Sequence, residues 1–322
     1  MKQSSALAVV ALLSAALLQT IAAAQQKPGP APGESLSQSY RGSQNDNIEY
    51  QKVPPIKVFD NLYYVGPGEV SVWLIPTTDG IILIDSAQEP LVDHVLDSIR
   101  KSGFDPRNIK YILLTHGHLD HFGGAGKIKA ASGGSARVAA LDEDWTLIEA
   151  TYKNPGRGNQ DRGVALMRDM VLREGQTLTL GKTEIKVYKM PGHTPGSASF
   201  AFTVFDNGRP HKALVFGGPG QRNGVEGGTQ FLESIRRLKR EFADIEVPVH
   251  VHSYLNTYPV PGGGAVHEPA QKLAQRKPGQ PHPFVDNKAW RVWLDRAEAG
   301  TVKYVEDAKA GRIGGRGGNA GN

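Results

Sequence analysis

The chain has 322 residues, long enough to bury a sizeable core in one large domain or two small ones. Its 39% hydrophobic and 21% charged residues lie near the globular norm, and the absence of cysteine excludes disulfides and thiolate metal ligands alike. The net charge of +5 comes from dispersed lysines and arginines, so it reads as a solubility feature with weak attraction for anionic substrates and not as a nucleic-acid footprint.

Met1 and Lys2 give a positive start, Ala6 to Leu18 is an apolar run, and Ala22-Ala23-Ala24 offers a small-residue cleavage site before Gln25. This is the layout of a secretory signal peptide over 1–24, and the apolar run is short for a membrane span. The expectation is a secreted chain, periplasmic in a Gram-negative cell, with no stable membrane association after cleavage. A lead-in over 25–55, rich in Gln, Pro, Gly and Ser to Gln51, is expected to carry little structure. One catalytic domain is expected over 56–300, followed by a disordered glycine-rich tail over 301–322.

Within the domain the signals alternate. Leu62 to Val65 and Ser71 to Ile75 suggest short strands, and Ile81-Ile82-Leu83-Ile84 is a continuous apolar run, the mark of a buried strand ending at Asp85. Pro90 then opens a helix whose Leu91, Val92, Val95, Leu96 and Ile99 fall at helical spacing, with Gly103 as its end. Tyr111 to Leu114 predicts the next buried strand, Asp120 to Ala131 a helix start, and Val138 to Leu141 another strand. Thr183 to Tyr188, Ser197 to Val204, Lys212 to Phe216 and Val247 to Val251 continue the strands, and Thr229 to Phe242 forms an amphipathic helix. The order predicts α/β layers with two sheets between helices.

The densest chemistry lies at Thr115-His116-Gly117-His118-Leu119-Asp120-His121, directly after an apolar strand. Imidazole nitrogens and a carboxylate are good zinc ligands. Gly117 allows the bend that lets His116 and His118 converge, and Asp120 is a good N-cap for the helix that follows. One turn thus presents four donors, enough to serve two metal ions.

This His-x-His-x-Asp-His pattern resembles that of the metallo-β-lactamase superfamily. The resemblance implies a four-layer αβ/βα sandwich with its site at one edge of the two sheets. It also implies a further ligand in a Gly-His loop, supplied by His193 in Pro191-Gly192-His193-Thr194-Pro195-Gly196, and a supporting, non-ligating role for Asp85. From Val58 to Asp295 the chain is similar to the subclass B3 branch, down to Pro283-Phe284-Val285-Asp286 before a last helix. By that resemblance His116, His118 and His193 hold one zinc ion. Asp120, His121 and a late histidine at a strand end hold a second, giving two Zn2+ per chain. His250 and His252 are both candidates for that late ligand, and the motif position favours His252. His94, His211, His267 and His282 fit ordinary surface, turn and loop positions better than ligand positions.

The implied reaction is opening of a β-lactam amide by a zinc-bound hydroxide, with Asp120 orienting the nucleophile. The region Phe216-Gly217-Gly218-Pro219-Gly220 departs from the subclass, which carries substrate-binding hydroxyls where Gly218 and Gly220 stand here. Glycine main-chain groups or Arg222 are the replacements on offer, and the glycines from Gly217 to Gly228 suggest a mobile loop beside the site. The substrate is expected to be a small molecule: a β-lactam, or a lactone, ester or thioester of a related hydrolase. A non-catalytic metal-binding protein is the remaining reading, disfavoured by the complete ligand set.

Overall fold

The computed structural model describes residues 30–153, 161–218, 220–256 and 261–313. The leader expected over 1–24 and the last nine residues of the expected tail lie outside the described residues.

Seven strands form the first sheet: β1 (Ile56–Phe59), β2 (Leu62–Tyr64), β3 (Trp73–Thr77), β4 (Gly80–Ile84), β5 (Ile109–Leu113), β6 (Arg137–Leu141) and β7 (Met170–Leu172), in that spatial order. Neighbours are antiparallel up to β4 and parallel from β4 onward. The second sheet holds β8 (Thr177–Leu180), β9 (Thr183–Lys189), β10 (Ala198–Asp206), β11 (Arg209–Phe216) and β12 (Val247–His250), antiparallel except for the β11–β12 pair. A small hairpin, β13 (Tyr254–Asn256) and β14 (Pro261–Gly264), follows.

The alternation of side chains along each strand makes four layers. Ile82 and Ile84 of β4 face a core shared with Val187, Phe200, Val215 and Val249 of the other sheet. Their neighbours Ile81 and Leu83 turn to the opposite face, under helices α3 (Val92–Lys101), α5 (Ala125–Ala131) and α6 (Asp142–Lys153). On the far side, Leu214 and Phe216 of β11 pack beneath α7 (Gly224–Glu241) and α9 (Asn287–Lys309). Strands buried on both faces explain why β4 and β5 read as continuous apolar runs. Each fully buried large side chain contributes about 1.5–3 kcal/mol relative to an exposed one, so the inter-sheet layer is a main source of cohesion in a chain without cysteine. This is the αβ/βα sandwich expected from the sequence.

Several boundaries differ from the sequence reading. The lead-in is structured: α1 (Leu36–Arg41) and α2 (Ile48–Gln51) pack on the domain through buried Tyr40 and Tyr50. Ser35 and Gln38 cap α1 reciprocally and Asn47 caps α2, local signals that the polar composition had masked. The last helix runs to Lys309, well into the expected tail, because Thr301 and Val305 are buried. The glycine-rich stretch is a loop only in its first half, since α7 begins at Gly224 and Tyr304 and Val305 of α9 close on Gly228. Pro90 stands two residues before α3. Asp120 is the second residue of α4 (Leu119–Phe122) and not its cap, because His118 is the last extended residue before the turn. His211 lies within β11, where it is buried and bonds Glu246, so it is a strand residue and not a turn residue. His267 opens α8 (His267–Ala274) and donates to the Gly68 carbonyl, while His282 donates to that of Val58. No helix among the described residues is long and apolar enough to cross a membrane.

Because β4 and β5 run parallel, the segments leaving them, Asp85 and Thr115–His121, emerge at one edge. The Ala198 N–H donates to the Thr115 carbonyl at 2.7 Å and the Ser71 N–H to the Val251 carbonyl at 2.9 Å, drawing both sheets together at that edge.

Candidate metal centre

Two groups of donors meet at this edge. One ring nitrogen each of His116, His118 and His193 lie within 4.8 Å of one another, as do donor atoms of Asp120, His121 and His252. His116 and His118 leave β5, and His121 follows on α4. His193 comes from the loop between β9 and β10. His252 follows β12.

The choice between His250 and His252 is made by a change of strand partner. β12 pairs with β11 as far as His250; beyond it the chain pairs with residues 69–71, through a Val70–His252 bridge and a bond from the Ser253 N–H to the Glu69 carbonyl. That switch turns His252 into the centre, with its Nε2 3.2 Å from His121 Nε2. His250 stays on the outer face of its sheet, in a cavity lined by Trp290 and Trp293.

The candidate ligand rings are held from behind. Asp85, left-handed at φ 62° directly after β4, accepts hydrogen bonds from the Thr115 N–H at 2.8 Å and hydroxyl at 2.7 Å, and pairs with His121 Nδ1 at 2.8 Å. His121 thereby directs Nε2 forward. His193 Nδ1 donates to the Gly220 carbonyl at 2.9 Å, and His116 Nδ1 lies 3.2 Å from the Thr115 hydroxyl.

Asp144, which no sequence motif marks, ties together the two loops that carry candidate ligands His116, His118 and His193. From the first turn of α6 its buried carboxylate accepts from the Gly117 N–H at 2.8 Å, the Thr194 hydroxyl at 2.7 Å and the Gly196 N–H at 2.9 Å. Burial pushes this carboxyl up to about 6, against those three bonds.

The donors suit cations. Burial keeps His116, His193 and His252 well below the usual imidazole range and His118 at about 4, so all four are neutral at pH 7. Burial opposes charge on His121 too, but the Asp120 and Asp85 carboxylates overcome it and raise that imidazole to about 10, so its forward nitrogen holds a proton that a bound cation would displace. Asp120, despite its own burial, is drawn well below its ordinary value, chiefly by His121. His116 Nε2 is buried with no hydrogen-bond partner, a state costing about 1–3 kcal/mol unless another ligand meets it. Imidazole and carboxylate donors of this kind, without thiolates, fit zinc and similar divalent ions.

The three residues named for substrate contact all neighbour His193. A Cβ on Gly218 would stand 2.7 Å from the His193 Cβ and 2.8 Å from the Ser197 hydroxyl oxygen, so a hydroxyl side chain there has no room. Gly220 sits at φ 107° and spends its carbonyl on His193. Arg222 is the cation of the group. Its backbone N–H reaches the Gly192 carbonyl at 3.3 Å, and its charge acts on His118, His193 and Asp120.

The comparisons agree with this geometry. Residues 65–207 match the model of the metallo-β-lactamase superfamily. Among curated proteins, hydroxyacylglutathione hydrolase of Bdellovibrio bacteriovorus is 30% identical over 184 residues, 52% of this chain and 62% of that protein. The probable metallo-hydrolase YybB of Bacillus subtilis is 30% identical over 128 residues, 39% of this chain and 54% of its own. The chain thus spans a little over half the length of these curated relatives. Among solved structures, BJP-1 of Bradyrhizobium japonicum, a subclass B3 metallo-β-lactamase, superposes with a TM-score of 0.68 at 28% identity, covering 83% of this chain and 99% of that one. The metallo-β-lactamase FEZ-1 of Legionella gormanii gives 0.67 at 25% identity, covering 80% and 98%.

Proposed function

We propose that the chain, whose residues 65–207 match the metallo-β-lactamase superfamily model, is a metal-dependent hydrolase of that family: a two-zinc enzyme opening the amide of a carboxylate-bearing β-lactam. The observation that carries this reading is the placement of Arg222 beside a six-donor centre, in a fold covering 99% of a subclass B3 structure.

His116, His118 and His193 would hold one ion, and Asp120, His121 and His252 the other. Zinc, when bound, supplies Lewis acidity toward a carbonyl and activates water near neutral pH. The chain does the rest. Asp85 fixes the His121 tautomer, and Asp144 keeps the loops of the three-histidine group at fixed spacing. The Asp120 carboxylate accepts a hydrogen bond from the attacking water and orients it. Arg222 takes the substrate carboxylate through a charge-assisted bond, while Gly218 and Gly220 offer only main-chain groups. The reading includes export, supported by the leader-like start of the sequence.

A second reading is hydrolysis of a thioester, or of a related ester or lactone. It is favoured by the missing hydroxyls at 218 and 220 and by the hydroxyacylglutathione hydrolases among the relatives. The deciding experiment purifies the chain from Gln25, counts zinc, and follows a chromogenic cephalosporin and a glutathione thioester with and without chelator. Chelator-sensitive cephalosporin turnover with two zinc ions supports the first reading. Turnover of the thioester alone replaces it with the second.

A further inference from the structure

His252 lacks the support given to His121 and His193. His252 is 5% exposed, its Nε2 faces His121 and Asp120, and its Nδ1 is buried without a hydrogen-bond partner. The nearest carboxylate is Glu69, whose Oε1 lies 3.9 Å from that nitrogen.

Glu69 is fixed in place by its backbone. Its N–H donates to the Gln51 side-chain oxygen at 2.9 Å, and its carbonyl accepts from the Ser253 N–H at 2.8 Å, one residue past the ligand. The Gly68 N–H before it donates to the Gln51 carbonyl at 2.8 Å, and the Gly68 carbonyl accepts from His267 at 2.7 Å. Gln51 is in turn held by the Tyr40 carbonyl at 2.8 Å. Arg41, at the end of α1, lies 3.5 Å from the same Oε1 that faces His252. The folded N-terminal segment therefore holds Glu69 in place, and its carboxylate faces the buried His252 nitrogen that has no hydrogen-bond partner.

We propose that Glu69, steadied by Arg41 and Gln51, is the positioning residue of His252: it accepts the Nδ1–H hydrogen and so presents Nε2 to the second metal ion. The contact needs a closure of about 1 Å to reach hydrogen-bond length, within the rotamer freedom of a glutamate whose backbone is fixed. An imidazole ligand orients and binds best when its second nitrogen donates to a carboxylate or carbonyl, as His121 and His193 do here. The inference rests on the two-metal reading above.

The test titrates metal-free wild type, E69A and E69Q with zinc against a competing chelator, resolving the two binding steps, and records thermal midpoints of the metal-free proteins. We expect E69A to weaken the second ion by about 10–100-fold with the first unchanged. E69Q, whose amide oxygen still accepts from Nδ1, should retain most of the affinity. Equal weakening of both ions, tracking a lower midpoint in the metal-free protein, would overturn the assignment in favour of a general packing role. Unchanged affinities in E69A would overturn it outright. A wild type that binds fewer than two ions would instead defeat the two-metal reading, and the inference with it.

Discussion

The Asp144 carboxylate accepts a hydrogen bond from the Thr194 hydroxyl at 2.7 Å, joining residues 50 apart in sequence. Its other bonds reach Gly117, between candidate ligands His116 and His118, and Gly196, three residues past His193. Replacing Asp144 with Asn swaps one acceptor for an N–H that faces donors. The D144N protein should lose about 1–3 kcal/mol of stability and bind the ion of the three-histidine group about 10–100-fold more weakly. Denaturant unfolding and chelator competition check both. Full retention of affinity at the three-histidine group would show that the loops hold themselves.

Asp85 acts on the other group. In D85A the acceptor that fixes His121 Nδ1–H is removed, so the forward nitrogen loses its assigned tautomer. The expected outcome is loss of the second ion first on dialysis, with affinity down about 10–100-fold. Metal analysis after equilibration at fixed free zinc measures it; equal loss from both groups would contradict it.

Metal removal should destabilise the fold. The loops carrying the ligands come from both sheets, so any ion bound only by the folded state adds about 4 kcal/mol at a thousandfold excess over its Kd. Thermal midpoints should fall with chelator and recover with added zinc in proportion to its logarithm. A midpoint indifferent to zinc would remove the metal-centre assignment.

Arg222 predicts a particular kinetic split. A charge-assisted hydrogen bond to a substrate carboxylate is worth about 1.5–3 kcal/mol, so R222A should raise KM on a carboxylate-bearing substrate by about 10–100-fold. It should change kcat less, because the contact is made in ground and transition states alike. An ester analogue of the same substrate should not discriminate between R222A and wild type. Discrimination by the ester would place Arg222 elsewhere in the reaction.

His250 should shape acid stability. Burial pushes its imidazole from 6.5 down to about 4. Between those values the unfolded chain binds more protons than the folded one, so stability rises with pH through the window and is lost as pH falls from 6.5 toward 4. In H250Q the decline between pH 7 and pH 5, read by denaturant unfolding, should be shallower. An unchanged slope would mean that other groups set it.

Much of this was legible in the chain itself. The apolar runs at Ile81 and Tyr111 announce strands buried on both faces, because period and hydrophobicity are local properties. Thr115 to His121 announce the candidate centre, because four of its six donors fall within six consecutive residues. The chain also contained signals that composition obscured, such as the Ser35–Gln38 capping box and the acidic first turn of α6 that carries Asp144. Tertiary structure alone decided the rest. His250 and His252 share a strand pattern, and only the change of partner from β11 to residues 69–71 separates them. The cradle of Asp144 and the approach of Glu69 to His252 join residues far apart in sequence. No periodicity encodes such contacts, because they follow from how two sheets meet at one edge.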